Sequence, residues 1–248
     1  MPEPILSNVE GPVLSKARPE RSRRVEGPLE LSLDTASELA SIALSRQGRL
    51  LAELTWNAGR DHSRQLLPAV DRLLTRHDAS KDDITAVFVD LGPGSYAGLR
   101  AGLSTAKGLA FALDLPLVGI GRLEIEAYAF AATGVPVVAV HRAGRGELAW
   151  AAYVADPNWR ELRAPGLSPR DEPLDALPPN ALVTGELDDE LVTSLVERGH
   201  RVAGGAATVR RASLLAELGS RRLEAGRTDD PKALVPLYLR EPAIGPQR

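Results

Sequence analysis

Ile84-Thr85-Ala86-Val87-Phe88-Val89-Asp90, followed after Leu91 by Gly92-Pro93-Gly94-Ser95-Tyr96-Ala97-Gly98, is the stretch on which the fold turns. The run from Ile84 to Val89 is almost continuously apolar, as expected of a central strand buried on both faces. A Gly-rich loop follows it, and residues 99 to 113 have the pattern of a helix, so the segment reads as strand, loop and helix in one crossover unit. Upstream, Leu29 to Leu33, Glu38 to Leu44 and Arg49 to Trp56 alternate with period two, and the short turn Arg46-Gln47-Gly48 predicts a hairpin between the last two. Residues 62 to 77 place Leu66, Leu67, Val70, Leu73 and Leu74 on one helical face, with Pro68 inside the run. Downstream come a short buried strand from Pro116 to Ile120 and a helix over 122 to 132.

The order of three strands, helix, strand, helix, strand, helix is that of an α/β half-domain of the ribonuclease H-like type shared by actin-like ATPases and sugar kinases, an analogy at the level of fold. Strands at Pro136 to Val140, Glu147 to Val154 and Ala181 to Val183, with helices near 187 to 198 and 212 to 225, predict a smaller, degenerate companion half. Pro157 to Pro179 reads as a Pro-rich connection, and Val235 to Arg240 as a segment that returns to the body. The expected divisions are residues 1–28, 29–135 and 136–248. The first of these, with five prolines and a mixed-charge cluster, reads as disordered. Its basic stretch Arg21, Ser22, Arg23, Arg24 could contact RNA, or be a solvated tail.

Thirty Lys plus Arg against thirty-three Asp plus Glu leave a net charge of −3, so no global basic field gathers nucleic acid. The absence of Cys excludes disulfides, thiolate metal sites and a cysteine nucleophile. No apolar run approaches the roughly 18 residues of a membrane span, and a soluble, cytoplasmic chain is expected.

Two places could carry chemistry. In the loop, Gly92, Gly94, Ser95 and Gly98 could turn backbone N–H groups toward an anion at a helix N-terminus; equally, the glycines could serve positive φ and close helix–strand packing. The loop lacks the Lys-Ser/Thr of a P-loop, and Ser95 lacks the spacing of a hydrolase nucleophile. Asp34, Thr35 and Ser37, at the end of the first strand, could surround metal-bound phosphate or form a locally bonded turn. The four histidines, His62, His77, His141 and His200, stand apart without metal-ligand spacing, so no metal site is predicted. In the helix from Leu99, the stripe Gly102, Ala106, Ala110 would let another backbone approach closely.

Leu33-Asp34-Thr35, His62-Ser63 with Leu66-Leu67-Pro68, Gly92 to Arg100, Thr105 to Ala110 and Leu123-Glu124, in this order, resemble the TsaB family, strongly over residues 30 to 135. Gly146-Glu147, Trp150 to Tyr153 and Tyr238-Leu239-Arg240 extend the likeness weakly, and residues 1–28 lie outside it. The resemblance implies a non-catalytic paralogue of TsaD, the enzyme that transfers threonylcarbamoyl to the adenosine beside the tRNA anticodon. TsaD enzymes carry a His-x-Glu-x-His metal motif, whose ligand positions correspond here to Arg122 and Glu126; a guanidinium cannot ligate a metal. The resemblance further implies a subunit that binds and activates TsaD, with TsaE as another partner, in modifying tRNAs that decode ANN codons. It implies tRNA contact only through the complex, and homodimers where TsaD is absent. Binding is expected through the helices at 62–77 and 99–113, with His62, Leu66, Leu67, Val70, Leu73, Gly102, Leu103, Ala106 and Ala110 as interface residues. No cofactor is implied, and weak nucleotide binding is left open. The competing reading is an independent nucleotide-dependent enzyme or peptidase of the actin-like superfamily.

Overall fold

β1 (Leu29–Asp34), β2 (Leu39–Arg46) and β3 (Arg49–Asn57) form an antiparallel meander in the computed structural model, which describes residues 27–170 and 176–239. The disorder expected for residues 1–28 and the basic stretch Arg21 to Arg24 therefore fall almost wholly outside the described residues. β4 (Ile84–Asp90) lies parallel to β1, and β5 (Leu117–Ile120) parallel to β4, giving the sheet order β3-β2-β1-β4-β5. The apolar run of β4 has its reason in the two faces it serves. Val87 and Val89 join the core under α1 (His62–Arg76) and α2 (Tyr96–Leu113), while Ala86 and Phe88 point to the opposite layer.

The second sheet repeats the pattern. β6 (Val137–Gly144), β7 (Glu147–Ala155) and β8 (Trp159–Pro169) are antiparallel, and β9 (Leu182–Gly185) and β10 (Arg201–Val202) add in parallel. The order β10-β9-β6-β7-β8 is the first sheet's order over again, and the reduction of this half shows in its two-residue outer strand. The chain thus has the actin-like α/β fold of two related halves. Within the Pro-rich connection predicted over Pro157 to Pro179, Trp159–Pro169 form β8: an edge strand tolerates Pro165 and Pro169, because one side of its backbone has no ladder to complete.

The two halves exchange their last helices. α3 (Arg122–Tyr128) follows the first sheet but packs on β6 and β7, with Leu123 and Ala127 against Val137, Ala139 and Tyr153. α4 (Asp189–Glu197) covers the other face of the second sheet with Leu191 and Leu195. α5 (Ala212–Glu224) follows the second sheet but lies on the first, with Leu215 and Leu218 against Phe88 and Val118. Its N-terminus is satisfied from that sheet: the Ala212 and Ser213 N–H groups donate to Ser41 Oγ at 3.1 Å and Glu53 Oε1 at 3.0 Å. Among the described residues no helix is long and apolar enough to cross a membrane.

Candidate functional site

The C-terminal ends of β1 and β4, where open α/β sheets hold their ligands, carry Asp34 and Asp90, both fully buried. A guanidinium fills the space beside them. Arg210, just ahead of α5, donates from Nε to Asp34 Oδ2 at 2.6 Å and from Nη2 to Asp34 Oδ1 at 3.0 Å, a two-pronged pair out of reach of water. Its Nε lies 3.7 Å from Asp90 Oδ2 and its Nη1 3.5 Å from Glu126 Oε1. Nη2 also reaches Ser37 Oγ at 3.1 Å.

This arrangement pushes the two carboxyls apart. Burial would raise that of Asp34, but the charge and hydrogen bonds of Arg210 outweigh it and hold the group below the ordinary carboxylate range. Asp90 goes far the other way, raised first by burial and then by the neighbouring Asp34 charge, with Arg210 only partly opposing. The acidic end of the sheet therefore holds two carboxyls driven in opposite directions, Asp34 toward the carboxylate and Asp90 toward the acid, beside an internal cation.

Arg122, at the position the sequence reading aligned with a metal ligand, is bonded to the other such position: its Nε donates to Glu126 Oε1 at 2.7 Å. Its Nη2 donates to Glu186 Oε1 at 2.7 Å, just beyond β9, and Glu186 Oε2 lies 3.0 Å from His141 Nδ1. Burial would raise the Glu186 carboxyl; the bonds from His141 and Arg122 bring it well below its usual range. Among the described residues no group of three or more His, Cys, Asp or Glu is placed to hold a metal ion.

The loop residues singled out from the sequence do come together, and their polar groups meet protein. Thr35 Oγ1 donates to the Gly98 carbonyl at 2.8 Å, the Gly92 N–H to Asp90 Oδ1 at 2.7 Å and the Ser95 N–H to the Ala36 carbonyl at 2.7 Å. Ser95 caps α2, its Oγ accepting from the Gly98 N–H, so the helix begins at Tyr96 rather than at Leu99. A Cβ on Gly94 would stand 2.1 Å from the Ala36 carbonyl oxygen, one on Gly98 2.1 Å from that of Thr35, and one on Gly102 2.2 Å from Thr35 Oγ1. These glycines press α2 against the β1–β2 turn. Beside them a groove of about 320 Å³ remains, bounded by Pro93, Leu99, Arg142, Leu167 and Leu237; Asp34 and Asp90 do not open into it.

The expected interface residues require a correction. His62, Leu66, Val70, Leu73, Gly102, Leu103, Ala106 and Ala110 are all buried within the chain, and only Leu67, 53% exposed, faces outward. His62 Nε2 donates to the Ser37 carbonyl at 2.8 Å, a tie between α1 and the β1–β2 turn. The small-residue stripe of α2 serves its own sheet: Ala106 and Ala110 lie in the core with Val87 and Val89. The large apolar side chains that the two helices expose are Leu67 on α1 and Tyr96 and Phe111 on α2, set among exposed charged residues such as Arg64, Asp71, Arg72 and Arg100. Arg210 was missed by the sequence reading, for it lies 176 positions from Asp34 with no motif around it.

A model of the TsaD family, tRNA N6-adenosine threonylcarbamoyltransferase, matches residues 55–160. The tRNA threonylcarbamoyladenosine biosynthesis protein TsaB of Escherichia coli is 38% identical over 130 residues, 52% of this chain and 56% of that protein. Its namesake in Bacillus subtilis is 38% identical over 94 residues, 38% of this chain and 41% of that protein. The chain thus spans about half the length of the curated relatives it matches. A solved Pseudomonas aeruginosa structure, described as an uncharacterized protein with similarity to the peptidase YeaZ, superposes with a TM-score of 0.72 at 27% identity, over 86% of this chain and 100% of that one.

Proposed function

We propose that this chain, similar over about half its length to TsaB proteins, is one of them and acts without chemistry of its own in threonylcarbamoylation of the adenosine beside the anticodon of tRNAs decoding ANN codons. In this reading it binds and activates a TsaD-type transferase, with TsaE as a further partner, pairs with itself when TsaD is absent, and meets tRNA only through the complex.

The observation that carries the reading is the guanidinium of Arg210 on Asp34. A phosphate-bound metal would need that carboxylate and the space beside it. Both are taken by a cation belonging to the chain, at distances that leave no room for a second one. Arg122, in the position of a metal ligand, repels a divalent ion and is itself held by Glu126. The partner surface is assigned to the outward faces of α1 and α2, where Leu67 and Phe111 are exposed. Apolar groups of that size are more at home in the centre of an interface than in water.

Titration of the purified full chain with ATP and Mg²⁺ tests the chemistry. Neither heat of binding nor hydrolysis is expected. Hydrolysis that disappears in Asp34→Ala would overturn the reading in favour of an independent nucleotide-dependent enzyme.

A further inference from the structure

The buried ions continue beyond the end of the first sheet. Extending the β1–β4 register by one residue sets Asp34 beside Asp90, and extending the β6–β9 register by one sets His141 beside Glu186. These are equivalent pairings in the repeated strand order, between the first and fourth strands of each sheet and at the C-terminal end of the fourth. Side chains join the two places. Asp34 holds Arg210, Arg210 lies 3.5 Å from Glu126, Glu126 accepts from Arg122 at 2.7 Å, and Arg122 donates to Glu186 at 2.7 Å. Arg122 is also fixed to the Gly-rich loop: its N–H donates to the Gly92 carbonyl at 2.7 Å and its Nη1 to that of Pro93 at 3.4 Å.

We propose that this relay is a weld across the cleft: Arg210, Glu126 and Arg122 hold the two sheets at one fixed opening, so that the halves move as a single body. Apolar layers can slide over one another at small cost, which is how hinge and shear closure of two-lobed proteins proceeds. Charges buried in pairs cannot. Separating the sheets would draw Arg210 from Glu126, or Arg122 from the half-exposed Glu186, leaving the buried guanidinium in each case short of one carboxylate partner. Such pairs add little net stability, because desolvation offsets their attraction; what they impose is geometry. The exchange of α3 and α5 between the halves puts the welding residues where each must answer to both sheets. The inference stands apart from the partner reading, since it concerns only motion within this chain.

The chain has no Cys, so two labels can be placed without background. Spin labels at Ser104→Cys on α2 and Thr193→Cys on α4, both exposed positions on rigid helices, report the distance between the halves by double electron–electron resonance. The full chain is expected to give one peak no wider than the labels' own spread. Glu126→Gln, which keeps the volume and removes the central charge, is expected to widen it or add a second, longer distance. A broad distribution in the unmodified chain, or an unchanged one in a folded Glu126→Gln protein, overturns the proposal. If Glu126→Gln does not fold, Glu186→Gln, at the half-exposed end of the relay, decides: widening supports the weld and an unchanged peak refutes it. ATP added to the same samples separates this outcome from failure of the non-catalytic reading, which appears as hydrolysis whatever the distances do.

Discussion

Arg210 is the residue on which the chemistry of the cleft turns, and its removal has a calculable direction. Arg210→Met keeps the bulk and leaves Asp34 and Asp90 buried without a cation, so a loss of about 3–5 kcal/mol is expected in chemical denaturation, the cost of stranding a buried charge rather than the worth of the pair. The two carboxyls respond oppositely to pH. Asp34, held low, contributes stability present above the unfolded carboxylate pKa and lost as pH falls through its native value. Asp90, held high, contributes stability that is full below the unfolded pKa and lost as pH rises through its native value. Asp90→Asn carries the neutral form permanently. Its melting temperature is therefore expected to hold up better than that of the unmodified chain as pH rises, with a gain of about 1.4 kcal/mol for each pH unit over which Asp90 would otherwise have to ionise. Thermal melts across a pH series check this, and a difference that does not grow as pH rises above the unfolded carboxylate range would show that Asp90 is already ionised in the native state. Asp34 was legible from sequence as the acidic end of an alternating strand. Arg210 was not, because a long-range ion pair leaves no periodicity in the chain.

At the scale of elements, α2 shows how a correct helix can be assigned the wrong face. Its stripe of Gly102, Ala106 and Ala110 was read as a surface for another backbone, and it is one, but the backbone belongs to the same chain. Sequence periodicity tells that a face is small and apolar; it does not tell which sheet or subunit meets it. Two substitutions separate the faces. Ala106→Glu puts a carboxylate at a position with no exposure and should leave the chain unfolded or insoluble. Phe111→Glu, at a position 56% exposed, should change stability by no more than about 0.5 kcal/mol while removing the complex with a TsaD-type partner in size-exclusion with light scattering. A folded Ala106→Glu protein that fails to bind would return that stripe to the interface. β8 is the complementary miss: Arg160, Glu161, Arg163 and two prolines hide the alternation of an edge strand whose outer side faces solvent.

For the whole molecule, the sequence by itself determined the α/β class, the first sheet's strands and their order along the chain, and the likeness to TsaB proteins. Strands buried on both faces, hairpin turns and Gly-rich loops are local solutions to local constraints, and they are written in neighbouring residues. The second half is fainter in the sequence because β9 and β10 are only four and two residues long, too short to show a period. Only the tertiary structure decided that α3 and α5 cross to each other's sheet, that the small-residue stripe faces inward, and that the acidic end of β1 is filled by a cation from the other end of the chain. These depend on packing and charge pairing between segments far apart in sequence. The free energy that selects such contacts belongs to surfaces that come into being only when the chain has folded.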